Sequence, residues 1–350
     1  MKRELLIAEL LSTPWALEPG YLAAFSGVMH RWNRGEEASH EVMAGIAADR
    51  SNLAARKPGN LMPRTGNDSN IAVLPLYGVM TQRGNMVNEV SGSGSMSTQQ
   101  FTMALRQALQ DPSIGAILID IDSPGGSVYG IDELAQEVMS ARAQKSIIGL
   151  VNSLAASAAY WVGAACSELY VTPGGEVGSI GVFSAHDDRS KAMEADGITR
   201  TYISAGKYKT EGNPAGPLSA EAQAHMQSRV DDYYGAFTQA VAKGRGVSVA
   251  TVRSDYGQGR VYGASQALSA HMVDGIATFD DVVRKMAGKL KAPARSLARN
   301  QSIGRSAGDA FRPHLAHVHR ELSILEASGA VEARPANRAA QARRQLAMLE

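Results

Sequence analysis

The run Ile114-Gly115-Ala116-Ile117-Leu118-Ile119-Asp120-Ile121 is apolar on both of its alternating faces, so as a strand it has to be covered on both sides. That demand points to a parallel sheet with helices packed on its two faces. The run leads into Asp122-Ser123-Pro124-Gly125-Gly126-Ser127-Val128, where proline fixes φ and glycine accepts positive φ. A buried strand therefore ends in a turn able to present backbone N–H groups. Such a turn suits an oxyanion hole, although a Pro-Gly-Gly sequence after a strand is often only a turn.

The alternation continues along the chain. Strands are expected over 71–77, 114–121, 146–151, 169–172, 177–184 and 199–203. Helices are expected over 98–110 with Ser97 as N-cap, over 131–143, from Ser157 onward, near 190–194, and from the Ser219 cap to about Lys243, where Gly244 and Gly246 stop the run. A short helix and a strand close this region over 261–282. Alternating elements of this kind predict an α/β sheet with flanking helices. Residues 91–95, Ser-Gly-Ser-Gly-Ser, are expected to form a mobile loop. The domain division expected is an N-terminal appendage and linker over 1–69, a main domain over 70–282 and a tail over 283–350. The tail carries thirteen Lys or Arg against five Asp or Glu, a net +8, which leaves −7 on the first 282 residues. It is a separate electrostatic unit.

The single cysteine, Cys166, excludes an internal disulfide, and its place after 158–165 reads as a packed small hydrophobe. A reducing compartment fits. The apolar run Leu5 to Ala8 is cut by Glu9 and is too short for an export signal, and 154–166 falls short of the roughly 20 residues of a membrane helix. No membrane anchor and no cofactor are expected.

Thirty residues beyond Ser127 stands Ser157, in Ala155-Ala156-Ser157-Ala158-Ala159. Small neighbours are what close helix packing demands, and a serine there also reads as a helix N-cap. As a nucleophile it would need a base to take its proton, and a helix beginning at Ser157 would add the positive end of its dipole. Alanines at both outer positions set it apart from the Gly-x-Ser-x-Gly elbow of α/β-hydrolases. Lys209 follows 52 residues later, in Ser204-Ala205-Gly206-Lys207-Tyr208-Lys209. Alone it reads as a solvated surface lysine. His186, followed by Asp187 and Asp188, leaves a Ser-His-Asp triad open on paper. His314, His317 and His319 have loosely ligand-like spacing but no convincing carboxylate or cysteine partners, so no metal site is expected.

The segments 122–128, 154–160, Val177-Gly178-Ser179-Ile180-Gly181-Val182 and 204–209 resemble those of the signal peptide peptidase A family of serine proteases, over about residues 71–282. Trp15-Ala16-Leu17-Glu18-Pro19-Gly20-Tyr21 and Asn70-Ile71-Ala72-Val73-Leu74-Pro75-Leu76 add a resemblance to the phage head maturation proteases of the lambda type within it. The resemblance implies a Clp protease/crotonase-like α/β sheet. It implies a Ser157 nucleophile with Lys209 as base, Lys207 being the nearby competitor. Ser179 would orient the lysine. The oxyanion hole would be formed by backbone N–H groups of Gly125 or Gly126 and of Ala158, and Ser127 and Val128 would pair with an extended polypeptide substrate. A lysine base has to be neutral near pH 7, which burial would have to enforce. Implied partners are phage head proteins (scaffold, portal or coat) and further copies of the chain, in the host cytoplasm and within the capsid precursor, with nucleic acid a less favoured partner of the tail. Rival readings are a cytoplasmic signal-peptide or quality-control peptidase of the same family, a crotonase-like acyl-CoA enzyme and a non-catalytic capsid scaffold.

Overall fold

The computed structural model describes residues 13–21, 70–83 and 95–291. The chain divides into two units, residues 1–291 and 292–350. The basic tail beyond residue 291, with its three histidines, and residues 91–94 of the expected loop lie outside the described residues.

The main sheet is built on β5 (Ala116–Ser123), flanked by β2 (Ile71–Tyr77) on one side and β7 (Ser146–Ala156) on the other, all parallel. Side chains alternate across it with the period of two that a strand imposes. Ala72, Leu74, Leu76, Ile117, Ile119, Ile121, Ile147 and Val151 enter one core. That core is shared with α1 (Thr98–Gln110), α2 (Ile131–Ala141), α3 (Ala158–Gly163) and α5 (Ala220–Arg245), each of which contributes buried residues to it. Ile71, Val73, Ala116, Leu118, Ile148 and Leu150 enter a second core on the opposite face, closed by Val282 and Met286 of α8 (Phe279–Lys291). Both faces of the central strands are covered, as the apolar run demands. The expected α/β sheet with flanking helices is what the chain forms.

The strand β7 is longer than expected and forks the sheet. Its first half pairs with β8 (Glu168–Val171), which carries β11 (Gly275–Ile276) at its outer edge. Its last residues, Leu154 to Ala156, pair instead with β9 (Glu176–Gly178), which carries the antiparallel β10 (Val261–Gly263). Ser157 follows directly. A second, four-stranded sheet has the order β1 (Trp15–Leu17), β6 (Gly125–Ser127), β3 (Val79–Thr81), β4 (Ser95–Ser97). It brings a strand of the N-terminal stretch against the glycine turn.

Helix ends follow the expected chemistry. Ser97 and Ser219 each accept a hydrogen bond from the backbone N–H three residues on, and Gly246 ends α5 in the left-handed conformation, φ 69°. Three expectations differ. Residues 199–203 form no strand, because this exposed stretch pairs with no strand among the described residues. Of the expected 177–184 strand only 177–178 is regular, within β9, since Ser179 turns to positive φ. The expected boundary at residue 283 falls inside α8, whose Val282 and Met286 are both buried.

The α8 docking is reinforced by charge. Lys285 and Lys289 both reach the Glu168 carboxylate at the start of β8, and Tyr170 hydrogen-bonds to it as well. Burial pushes the Glu168 carboxyl up, but its hydrogen bonds from Lys285, Lys289 and Tyr170 prevail and hold it at about 2. Cys166 is buried in the main core, and burial pushes its thiol up to about 12.

Candidate active site

Ser157 sits where β7 gives way to α3. Its backbone is at φ 56°, ψ −118°, a conformation that L residues rarely adopt and that costs on the order of 1–3 kcal/mol. Neighbouring bonds over-determine it. The Ser157 N–H donates to Gly178 O at 2.7 Å, its carbonyl accepts from the Trp161 N–H at 3.0 Å, and its Oγ donates to Gly181 O at 3.3 Å. Ala158, Ala159 and Trp161, which follow it, are packed in the apolar core.

The glycine turn lies against it. Gly125 has φ 99°, and a Cβ built there would lie 3.0 Å from Ser157 Cβ and 2.9 Å from Ala156 O, besides overlapping the Ala16 carbonyl oxygen. Only glycine permits this approach. A Cβ on Gly126 would overlap the Met80 carbonyl oxygen of β3. The Gly125 N–H donates to Ser123 Oγ at 3.2 Å, within the turn, and Gly126 lies opposite Ala16 of β1. Ala158, fully buried, is the first residue of α3 and follows Ser157 directly. Ser179 is 5% exposed at φ 52°, and its N–H donates to Arg260 O at 2.8 Å, which ties the loop after β9 to the residue before β10.

The edge of Ser127 and Val128, expected to receive a substrate strand, is already paired. Trp15 lies opposite Ser127, Ala16 opposite Gly126 and Leu17 opposite Gly125, antiparallel, and the Val128 N–H donates to Pro14 O at 3.3 Å. Sequence reasoning gave residues 1–69 no readable role. The stretch Trp15-Ala16-Leu17, set between Pro14 and Pro19, is too short for its alternation to announce a strand.

Lys209 is exposed, and its backbone N–H makes only a local turn bond to Gly206 O, 3.1 Å. No hydrogen bond or ion pair joins its side chain to another described residue, and Ser157 Oγ donates to a backbone carbonyl, that of Gly181. No hydrogen bond therefore joins Lys209 to Ser157 among the described residues. Lys207 is held by Glu221 at 2.9 Å and the Tyr208 hydroxyl at 2.7 Å. Its hydrogen bonds with Tyr208 and Glu221 hold the ammonium above its ordinary value, the wrong direction for a base. His186 bonds through Nε2 to Gly216 O at 3.2 Å, and Asp188 caps Ser190. No His-Asp pair is directed at Ser157 among these contacts. Among the described residues no group of three or more His, Cys, Asp or Glu is placed to hold a metal ion, and no helix is long and apolar enough to cross a membrane.

Residues 140–292 match Peptidase family S49. The chain is similar to that family. The matched stretch carries Ser157, Ser179 and Lys209, while the glycine turn and β1 precede it. The chain is also 29% identical to the capsid assembly protease C of Escherichia phage lambda over 289 residues, which is 80% of this chain and 64% of that protein. It is 29% identical to the head-tail preconnector protein GP5 of Enterobacteria phage P21 over 304 residues, 84% of this chain and 60% of the relative. The chain thus spans somewhat less than two thirds of the length of these two relatives. Among solved structures, the 1510-N membrane-bound stomatin-specific protease aligns with a TM-score of 0.42 and 15% identity, covering 63% of this chain and 86% of that one.

Proposed function

We propose that this protein is a serine endopeptidase in which Ser157 is the nucleophile, Lys209 the base that takes its proton, and Gly126 N–H with Ala158 N–H the donors that stabilise the developing oxyanion. The observation that carries the reading is the strained, backbone-locked Ser157 at the start of a buried helix, pressed against a turn that only glycine can form. Strain concentrated at one polar residue beside a glycine turn is how a fold prepares a nucleophile. Similarity to Peptidase family S49 supports the class of reaction.

Lys209 must then reach Ser157 from somewhere other than its place in the single chain. Its segment exposes Ile198, Tyr202 and Tyr208, and Ile203 is 98% exposed. An apolar stretch of that kind is covered at an interface, and the reading is that a further copy of the chain orders it and completes the dyad. Ser179, buried beside β9, would orient the incoming amine. The natural substrates proposed are phage head proteins, scaffold, portal or the protease itself, processed in the host cytoplasm within the capsid precursor, because relatives carry the names capsid assembly protease and head-tail preconnector. The division into a protease domain that begins at residue 70 and runs to the end of α8, with appendages on both sides, is part of this proposal, as is docking of the basic tail on head components rather than nucleic acid.

A fluorophosphonate serine probe tests the reading. Covalent labelling mapped to Ser157, abolished in Ser157→Ala, is expected in assembled protein. Absence of label in both monomeric and assembled protein would overturn it.

A further inference from the structure

The channel beside Ser157 is not empty of polypeptide. The strand β1 runs between two backbone edges: β6 on one side, and on the other Phe183, with which Trp15 exchanges both bonds, N–H to O at 2.8 Å and O to N–H at 3.0 Å. Trp15, Ala16 and Leu17 are each no more than 5% exposed. In an antiparallel ladder the doubly bonded pairs alternate. The bonds from Val128 N–H to Pro14 O and from Glu18 N–H to Pro124 O fix 14/128 and 18/124 as bonded pairs. Ala16 and Gly126 are the bonded pair between them, so the Gly126 N–H is directed at the Ala16 carbonyl oxygen. That same oxygen and Ser157 Cβ both crowd the point where a Gly125 Cβ would stand.

We propose that β1 is bound as a substrate strand is bound, with the Ala16 carbonyl at the donor that serves the oxyanion, and that it must leave before another peptide reaches Ser157. The inference rests on the peptidase reading for its chemistry, but the binding channel itself stands on the strand geometry. It also names the class of peptide the channel takes. Ala16 is wholly buried in the main core, whereas Trp15 and Leu17 point the other way into a separate cluster with Val79 and Phe183. The channel therefore accepts an extended segment with a small residue at the position of attack, flanked by bulky apolar residues on the opposite face. Side-chain alternation gives the specificity and the main-chain ladder gives the affinity.

The test compares the full chain with Trp15→Asp/Leu17→Asp, which puts carboxylates into the apolar cluster and expels the strand. Fluorophosphonate labelling of Ser157 is expected to become at least about tenfold faster in the variant. Equal rates would overturn the proposal while leaving the nucleophile assignment standing. If the double variant does not fold, Trp15→Ala takes its place. A second measurement does not need a reactive serine: anisotropy of a fluorescein-tagged decapeptide of residues 11–20, added to Ser157→Ala protein with and without the releasing substitution. Binding to the released form, at least about tenfold tighter than to the parent and lost when the peptide carries Ala16→Phe, is the expected result. No binding, or binding indifferent to release or to Ala16→Phe, overturns the channel. Peptide binding without any labelling would overturn the peptidase reading and keep this one.

Discussion

Ser157 is 1% exposed, with its amide bonded to Gly178, its carbonyl to Trp161 and its Oγ to Gly181, whereas Lys209 lies on an exposed stretch secured by a turn bond to Gly206. The two regions are built on different principles. The serine belongs to a junction of parallel sheet and buried helix, where close packing and ladder bonds leave one conformation. The lysine belongs to residues 196–212, which contribute nothing to either of the two main cores. In the proposed dyad the nucleophile would be prepared by folding and the base supplied by whatever orders the exposed segment.

That contrast is most directly broken by two substitutions. Ser157→Ala and Lys209→Ala should each lower kcat/KM for a peptide substrate by at least about 10⁴-fold, and the double variant should be no worse than either, because the groups act as one unit. Their stabilities should differ. Lys209→Ala should leave the melting free energy within about 0.5 kcal/mol, as expected for an exposed side chain. Lys207→Ala and His186→Ala serve as controls and should retain activity. A dead His186→Ala with an active Lys209→Ala would replace the dyad with a triad.

A smaller effect is expected on the rigid side. Gly125→Ala puts a methyl group within 3.0 Å of Ser157 Cβ and 2.9 Å of Ala156 O at a residue with φ 99°. The backbone has to shift, at a cost on the order of 1–3 kcal/mol, and a displacement of the nucleophile should lower kcat by about 10²-fold. Thermal melting and kinetics on the same preparation check both. An unchanged kcat would mean that the turn is only a turn. A matching glycine substitution in the exposed segment, Gly212→Ala, meets nothing within 4 Å and should cost less despite φ 67°.

The same contrast explains what could be read from the sequence. The central strands, the helices capped by Ser97 and Ser219, and the serine-bearing junction were legible because local pattern and tertiary burial agree there. The strand expected at 199–203 was not realised: Thr-Arg-Thr-Tyr-Ile has strand-forming residues, but propensity cannot supply a ladder partner, and none is found among the described residues. Lys209 was placed by resemblance alone, and nothing in its own neighbourhood of sequence indicates whether it is buried. The strand Trp15–Leu17 was missed as part of the site for the opposite reason. Three residues carry too little periodicity to announce a strand, and its partner lies more than a hundred residues away in sequence.

The smallest expected effect concerns how the rigid region is held at its far side. Glu168 joins β8 to α8 through Lys285 and Lys289, and its carboxyl is held at about 2. A folded-state value below the ordinary carboxylate range, about 4.3, means that the charged form is favoured by folding. The contribution is complete above about pH 4.3 and is lost as pH falls toward 2. Asp274, paired with Arg245, acts in the same sense. Burial works to raise its carboxyl, but the hydrogen bonds from Arg245 and the Leu169 N–H hold it below the usual range. Glu168→Gln should therefore lower stability at pH 7 by about 1 kcal/mol, since the pair is partly exposed and solvent screens it. That corresponds to a melting shift of about 2–4 °C for a unit of this size. The difference from the parent should shrink steadily as melts are taken from pH 6 down to pH 2. A difference independent of pH would show that α8 is held by Val282 and Met286 alone. Amide exchange across 196–212 should stay the same in both proteins at every pH, because that segment owes nothing to the Glu168 anchor.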